Sequence, residues 1–351
     1  MFKKLRPLIF KFSPEVAHSM AIKALKFNYF PTKKLKRETL IETELFGKKI
    51  FSPIGVAAGF DKNAEVYNSL LSLGFGFVEV GTITPKAQYG NPKPRVFRLE
   101  EDEALINRLG FNNSGAEEIS SRIEHNIPNG ILGINIGPNK NTDNRVEDYL
   151  KCLRKFYKLG DYITINISSP NTENLRSFHN ENELAELLNA IQNEKNKLQT
   201  KVPIAVKISP DIENSKIELI AENLIKYSVD ILIISNSTDK NRENLKNINK
   251  LEKGGLSGKP IEIRSNELIN NFYKIIGKQI KIIGVGGVDS GKSAFEKMIN
   301  GASLIQLYTG MVYNGPNVAS KIGEELIDIF KSRGIKNISE VIGTKKLNLT
   351  V

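Results

Sequence analysis

From residue 50 onward, short apolar runs alternate with longer stretches of helical period. The runs are Ile54–Ala58, Phe77–Val80, Ile131–Ile136, Tyr162–Ile167, Pro203–Ile208, Ile231–Ser235, Lys281–Val285 and Ser303–Tyr308. Each is almost continuously apolar, as parallel strands covered by helices must be. Between them, Asn63–Leu73, Thr142–Leu159, Glu181–Leu198, Glu213–Tyr227, Ser290–Asn300 and Val318–Ser332 carry helical spacing. Eight strand units in roughly the length of such a fold predict an α/β chain closed into a (β/α)8 TIM barrel. A doubly wound open sheet shares the alternation and is the competing architecture.

The polar residues favour the barrel. Each strand is followed by a polar or Gly-rich cluster, from Gly59-Phe60-Asp61-Lys62-Asn63 after the first to Tyr308-Thr309-Gly310 after the last. A barrel builds its active site from those loops. Two segments exceed a simple repeat. Residues 85–113 contain the extended run Pro92-Lys93-Pro94-Arg95-Val96-Phe97-Arg98-Leu99, which reads as a hairpin. Residues 236–264 form a long Asn- and Lys-rich connection, a length typical of functional lids or unstructured segments.

The first 40 residues follow another pattern. Phe2, Leu5, Leu8, Ile9 and Phe12 fall on one helical face, with Lys3, Lys4, Arg6 and Lys11 elsewhere. Ser13-Pro14-Glu15 reads as the cap and first turn of a second helix. That helix carries Ala17, Met20, Ala21, Ala24 and Leu25 on one side. The pattern predicts a helical module over 1–40 and a barrel domain over 41–351. Charge sharpens this reading. The formal net charge is +11, and residues 1–50 hold twelve Lys/Arg against four Glu, a net of +8. Basicity therefore marks one end of the chain, a segment that by charge alone could meet nucleic acid, an anionic membrane or nothing; with the rest of the chain nearly balanced, no nucleic-acid partner is expected. No apolar run approaches the roughly 18 residues a membrane span needs. Two short amphipathic helices with a basic flank describe a contact lying on a membrane instead. One cysteine, Cys152, and three separated histidines leave no disulfide and no metal site in prospect.

One motif points elsewhere. Gly286-Gly287-Val288-Asp289-Ser290-Gly291-Lys292-Ser293 matches the phosphate-loop pattern of nucleotide hydrolases, after a strand and before a helix. Such an enzyme needs a further acid at another strand end to help hold Mg²⁺. The only later strand ends in Tyr-Thr-Gly. The same residues suit the phosphate site of a barrel, built from the loops after strands seven and eight, with Asp289 or Ser290 capping the next helix.

In order along the chain stand Ala57-Ala58-Gly59-Phe60-Asp61-Lys62-Asn63, Glu79-Val80-Gly81-Thr82-Ile83-Thr84-Pro85 and Asn107-Arg108-Leu109-Gly110-Phe111-Asn112-Asn113. Asn166-Ile167-Ser168-Ser169-Pro170-Asn171-Thr172, Val206-Lys207, Gly254-Gly255-Leu256-Ser257-Gly258 and Gly284-Val285-Gly286-Gly287 follow. In joint order and spacing the chain resembles the quinone-dependent, class 2 dihydroorotate dehydrogenases over nearly its whole length. The resemblance implies a barrel carrying FMN that oxidises dihydroorotate to orotate, in de novo pyrimidine (UMP) synthesis. FMN is then expected at Ala58, Gly59, Lys62, Thr82, Asn135, Asn166, Lys207, Ser235, Gly258, Gly287, Tyr308 and Thr309. Lys207 matches the lysine beside the flavin ring, where a cation favours the anionic reduced form. The substrate is expected at Lys62, Asn107, Arg108, Leu109, Gly110, Phe111, Asn166, Asn171, Asn236 and Ser237. Asn side chains offer the paired donors and acceptors that a ureide edge requires.

By resemblance the proton acceptor is Ser169, with Thr172 and Phe111 as relay and shield. A serine hydroxyl is a weak base and needs activation. Soluble class 1 relatives place a cysteine at this point, so Ser169 and the N-terminal helices both indicate the quinone class. His18 and Arg98 match its quinone-pocket positions. The expected assembly is a monomer held peripherally on the cytoplasmic face of the inner membrane. A related flavin barrel with a soluble acceptor, fumarate or NAD, remains the competing reading, beside the nucleotide hydrolase.

Overall fold

In a computed structural model, residues 2–27 and 38–347 are described. Residues 28–37, within the expected N-terminal module, lie outside them. Eight parallel strands close on themselves: β1 Ile54–Val56, β2 Phe77–Ile83, β3 Ile131–Ile136, β4 Tyr162–Asn166, β5 Ile204–Ile208, β6 Ile231–Ile234, β7 Lys281–Val285 and β8 Leu304–Leu307. They pair in chain order, and β8 closes on β1 with Ile305 opposite Ile54. This is the (β/α)8 barrel, and the open sheet is excluded. A helix follows each strand, including two that the apolar spacing did not predict, Ala116–His125 and Glu262–Ile276.

Side chains alternate along a strand, so every second residue points into the barrel. Phe77, Ile131, Tyr162, Ala205, Ile231, Ile283 and Leu304 fill the lumen as one apolar cluster. Leu45 and Ile50, from an antiparallel hairpin of Thr43–Leu45 and Lys48–Ile50, join it. The opposite faces pack under the helices in a larger core. Two or four residues on from these lumen positions stand Glu79, Asn166, Lys207 and Ser235, so the pleat that buries the core also brings these polar groups to the inner face, toward the C-terminal mouth.

The long segments build a second small sheet. Val96–Leu99 pairs antiparallel with Ala104–Asn107, the expected hairpin. Gly255–Gly258 then adds to its other side. The 236–264 connection is therefore not a free lid; it returns a strand from the β6 side onto the β2 side.

At the N-terminus, α1 (Phe2–Ile9) and α2 (Pro14–Lys26) form the expected helix pair. Ser13 stands at the N-cap without a side-chain bond; only its carbonyl engages, accepting from Ala17 N at 2.9 Å. Glu15 turns instead to the barrel, with Oε1 3.0 Å from Arg95 Nε. No helix among the described residues is long and apolar enough to cross a membrane.

Candidate active site

The C-terminal mouth of the barrel opens into a cleft of about 1120 Å³ of empty space, counted to its open rim. Ala58, Gly59, Lys62, Thr82, Asn166, Lys207, Ser235, Gly258, Gly287, Tyr308 and Thr309 line it. So do Asn107, Leu109, Gly110, Phe111, Ser169, Asn171, Asn236 and Ser237. Residues spread over 250 positions thus meet in one cavity.

Three expected residues stand apart. Arg108 points away, with Nη1 2.7 Å from Glu252 and Nη2 donating to Pro94 O at 2.9 Å. Its flanking strand turns the neighbouring Asn107 inward, so alternation turns Arg108 outward. Asn135 is buried one layer below the wall. Its Oδ1 accepts from Thr82 Oγ1 at 2.6 Å and from Asn166 Nδ2 at 3.1 Å, and its Nδ2 donates to Glu79 at 2.8 Å. Thr172 does not line the cleft, and no hydrogen bond joins it to Ser169.

Glu79, fully buried, is the hub of that lower layer. It accepts from Asn135, from Tyr162 OH at 3.1 Å and from Gln306 Nε2 at 3.0 Å. Its charge also bears on Lys207. Burial lowers the pKa of the Lys207 ammonium and Glu79 opposes that shift. Among the described residues Lys207 has no hydrogen-bond or ion-pair partner, so a buried cation stands free at the cavity floor.

In the same cleft, Ser169 is almost fully buried, and its Oγ accepts the Asn171 N–H at 3.2 Å. Asn171 Nδ2 donates to Asn107 O at 3.0 Å, and Asn236 Nδ2 to Ser168 Oγ at 2.9 Å. Ser168 Oγ in turn donates to Asn166 Oδ1 at 2.8 Å, so the amides form two linked sets, Asn171 with Asn107 and Asn236 with Asn166. Phe111 adopts a left-handed backbone, φ 55°, after Gly110 at φ 70°. That conformation is unusual for a bulky residue and marks a position held by its surroundings. Lys62 sits nearby with its pKa pushed down to about 8, by burial first and then by Arg95, while Glu15 supports its charge.

The phosphate-loop reading fails on geometry. The helix Gly291–Asn300 has its N-terminus filled by the protein: Ser290 and Ser293 form a capping box, and Glu325 accepts the Gly291 N–H at 2.6 Å. Lys292 is exposed. Gly286 and Gly287 instead face the cleft, and Gly287 has φ 77° with Glu262 packed so close that a Cβ would fall 2.3 Å from the Glu262 Cβ.

A second cavity, of about 1230 Å³ of empty space counted in the same way, runs between α1, α2 and the barrel. Its wall is almost wholly apolar, with Phe2, Leu5, Ile9, Ala17, Met20, Ala21, Ala24 and Leu25 from the helices. His18 and Arg98 are its polar points. His18 lies edge-on to Phe60, and burial, aided by Lys62, pushes its pKa down to about 3, so its ring is neutral near pH 7. Arg98 lies over the Phe10 ring and donates to Phe12 O at 2.8 Å, while its buried Nε has no partner. Val96, Leu105 and Tyr308 line both cavities, so a shared wall of three side chains divides them.

A family model described as dihydroorotate dehydrogenase matches residues 40–330. The chain belongs to the dihydroorotate dehydrogenase family. Within it, the chain falls in the quinone-dependent class. A Bartonella tribocorum protein named dihydroorotate dehydrogenase (quinone) is 44% identical over 340 residues, covering 95% of this chain and 94% of that one. An Idiomarina loihiensis protein of the same name is 42% identical, covering 93% and 100%. The crystal structure of a dihydroorotate dehydrogenase from Eimeria tenella in complex with ferulenol superposes with a TM-score of 0.91. It is 37% identical, over 95% of this chain and 96% of the other. This dihydroorotate dehydrogenase family member is an oxidoreductase. Sequence reasoning missed three of its site's supports: Glu79, Arg95 and Glu15. Glu79 had a signal, a lone acid inside an apolar strand, where an unpaired charge is too costly to be incidental.

Proposed function

We propose that the chain oxidises dihydroorotate to orotate in UMP synthesis, with FMN in the barrel cleft and a membrane quinone drawing electrons through the apolar cavity. The observation that carries this reading is the pair of cavities, one set with polar side chains and one almost wholly apolar, sharing the wall of Val96, Leu105 and Tyr308.

The cleft suits FMN. The unpartnered Lys207 ammonium fits an anionic ring edge, and Gly287 leaves backbone open beside Thr309 for a phosphate. Ala58, Gly59, Thr82, Asn166, Ser235, Gly258 and Tyr308 would complete the holder, with Asn135 acting from below through Thr82 and Asn166. When bound, FMN supplies a two-electron acceptor for hydride. The remaining work belongs to side chains. Lys62 holds the substrate carboxylate, while Asn107, Asn171, Asn236 and Ser237 read its ureide edge. Ser169 Oγ takes the substrate proton as its own hydroxyl proton passes on to water, and the Asn171 N–H stabilises the negative charge uncovered on the oxygen as that proton leaves. Phe111 closes the site against water. Thr172 takes the relay position only if its hydroxyl turns toward Ser169. In the apolar cavity, neutral His18 and the free Arg98 Nε face a quinone's carbonyls.

The same reading makes residues 1–40 a membrane module. Leu5, Leu8, Phe12, Val16 and Met20 expose apolar surface beside basic side chains, which suits a monomer lying peripherally on an anionic, cytoplasmic membrane face. The test is direct. The purified protein should carry stoichiometric FMN, and dihydroorotate should bleach its visible absorption without oxygen. A colourless folded protein, or a flavin that dihydroorotate leaves oxidised, overturns the proposal.

A further inference from the structure

Lys297 lines neither cavity, yet it is fully buried. It lies in the helix Gly291–Asn300, and its stem crosses β7, where a Cβ on Gly284 would stand 2.9 Å from Lys297 Cδ. Its ammonium donates to Ser265 Oγ and to Asn266 Oδ1, both at 3.0 Å. Ser265 Oγ donates in turn to Val285 O at 2.6 Å and approaches Ile234 O at 3.4 Å. Those carbonyls end β7 and β6. The next residues, Gly286 and Ser235, are in the cleft wall. A hydrogen-bonded chain therefore runs from a buried cation to the backbone of the cofactor turn.

The charge has a second neighbour. Glu262 begins the helix that carries Ser265 and Asn266, and it is the carboxylate that bears on Lys297. The same Glu262 packs against Gly287. It thus brings a negative charge beside the turn where a dianionic phosphate would sit. A methionine would fill the Lys297 site without the desolvation cost of a buried ammonium, so packing alone does not account for lysine there.

We propose that Lys297 is a positioning residue for the FMN phosphate. Through Ser265 it fixes the ends of β6 and β7, and its charge offsets Glu262 beside Gly287. This rests on the FMN reading of the cleft. Burial pulls the Lys297 ammonium down to about 7 while Glu262 supports it, and an arriving phosphate adds to that support.

The test compares FMN with riboflavin, which lacks the phosphate, by fluorescence during release from the diluted holoprotein and in direct titration. Lys297→Met should weaken FMN by roughly tenfold or more, the scale of one charge-assisted contact. Riboflavin should change little and Lys297→Arg should keep most of the affinity. Adding Glu262→Gln to Lys297→Met should restore most of the loss, which a merely structural lysine would not allow. Glu262→Gln alone should bind FMN more tightly, which keeps the test open if Lys297→Met fails to fold. Equal losses for FMN and riboflavin, or no rescue by Glu262→Gln, overturn the proposal. If the wild-type chain binds no FMN, the reading of the cleft falls as well; if it binds FMN and the variants match it, only this inference falls.

Discussion

Glu15 ties the N-terminal helices to the substrate side of the cleft, so Glu15→Gln should disturb both. Arg95 is 4% exposed and Glu15 24%. Arg95 Nη1 is satisfied by Tyr89 O at 2.6 Å and Asn91 O at 2.9 Å, and its plane lies over the Tyr89 ring. Glu15 supplies its only carboxylate among the described residues. Breaking a buried pair from one side costs about 3–5 kcal/mol. Glutamine keeps one neutral hydrogen bond, worth about 1 kcal/mol, and the partial exposure of Glu15 reduces the cost further. The net loss should be about 2 kcal/mol, borne by the docking of α2. That corresponds to roughly 30-fold more opening, at 1.4 kcal/mol per tenfold. Hydrogen exchange should report it as faster exchange of the Ala17–Leu25 amides with the barrel strands unchanged. Glu15 also supports the charge on Lys62, so the alkaline limb of kcat/KM for dihydroorotate should move to lower pH. Unchanged α2 exchange with an unmoved limb would show that apolar contacts alone dock the helix, and would refute the coupling.

In the unaltered protein that limb should itself be visible: kcat/KM should hold below pH 8 and fall above it, because Lys62 loses its proton near 8 and with it the attraction for a carboxylate. A flat profile to pH 9 removes Lys62 from that role. Ser169→Ala should slow anaerobic flavin reduction by about 10²–10⁴-fold, measured by stopped flow, with FMN content and orotate binding retained. Ala21→Trp places an indole in the apolar cavity. Reduction by dihydroorotate should be preserved, while reoxidation by a long-chain quinone should drop by roughly tenfold or more, since a filled pocket cannot admit its ligand.

Much of this molecule is legible in its sequence for a simple reason: buried parallel strands must be apolar throughout, so all eight barrel strands stand out. The helix Ala116–His125 does not, because it buries only Ala116, Ile119, Ser120 and Ile123 behind an otherwise polar surface. Glu262–Ile276 was hidden by the Asn- and Lys-rich connection before it. The hairpin at 43–50 is too short for alternation to register. In the site, motif order foretold which residues gather at the cleft but not their direction. Arg108 follows its neighbours in sequence and opposes them in space, and Asn135 works from beneath Thr82. Glu15 and Arg95 were invisible because their meaning is a contact across 80 positions. Pairwise partners of that kind come only from the fold.

Electrons should pass in two steps, from dihydroorotate in the barrel to a quinone at the N-terminal helices. Steady-state oxidation of dihydroorotate by the full-length protein, with long-chain quinone, fumarate and NAD compared as acceptors, tests it most directly. Turnover with the quinone should stand far above that with either soluble acceptor. Turnover supported equally by fumarate or NAD, or absent with quinone, would contradict it.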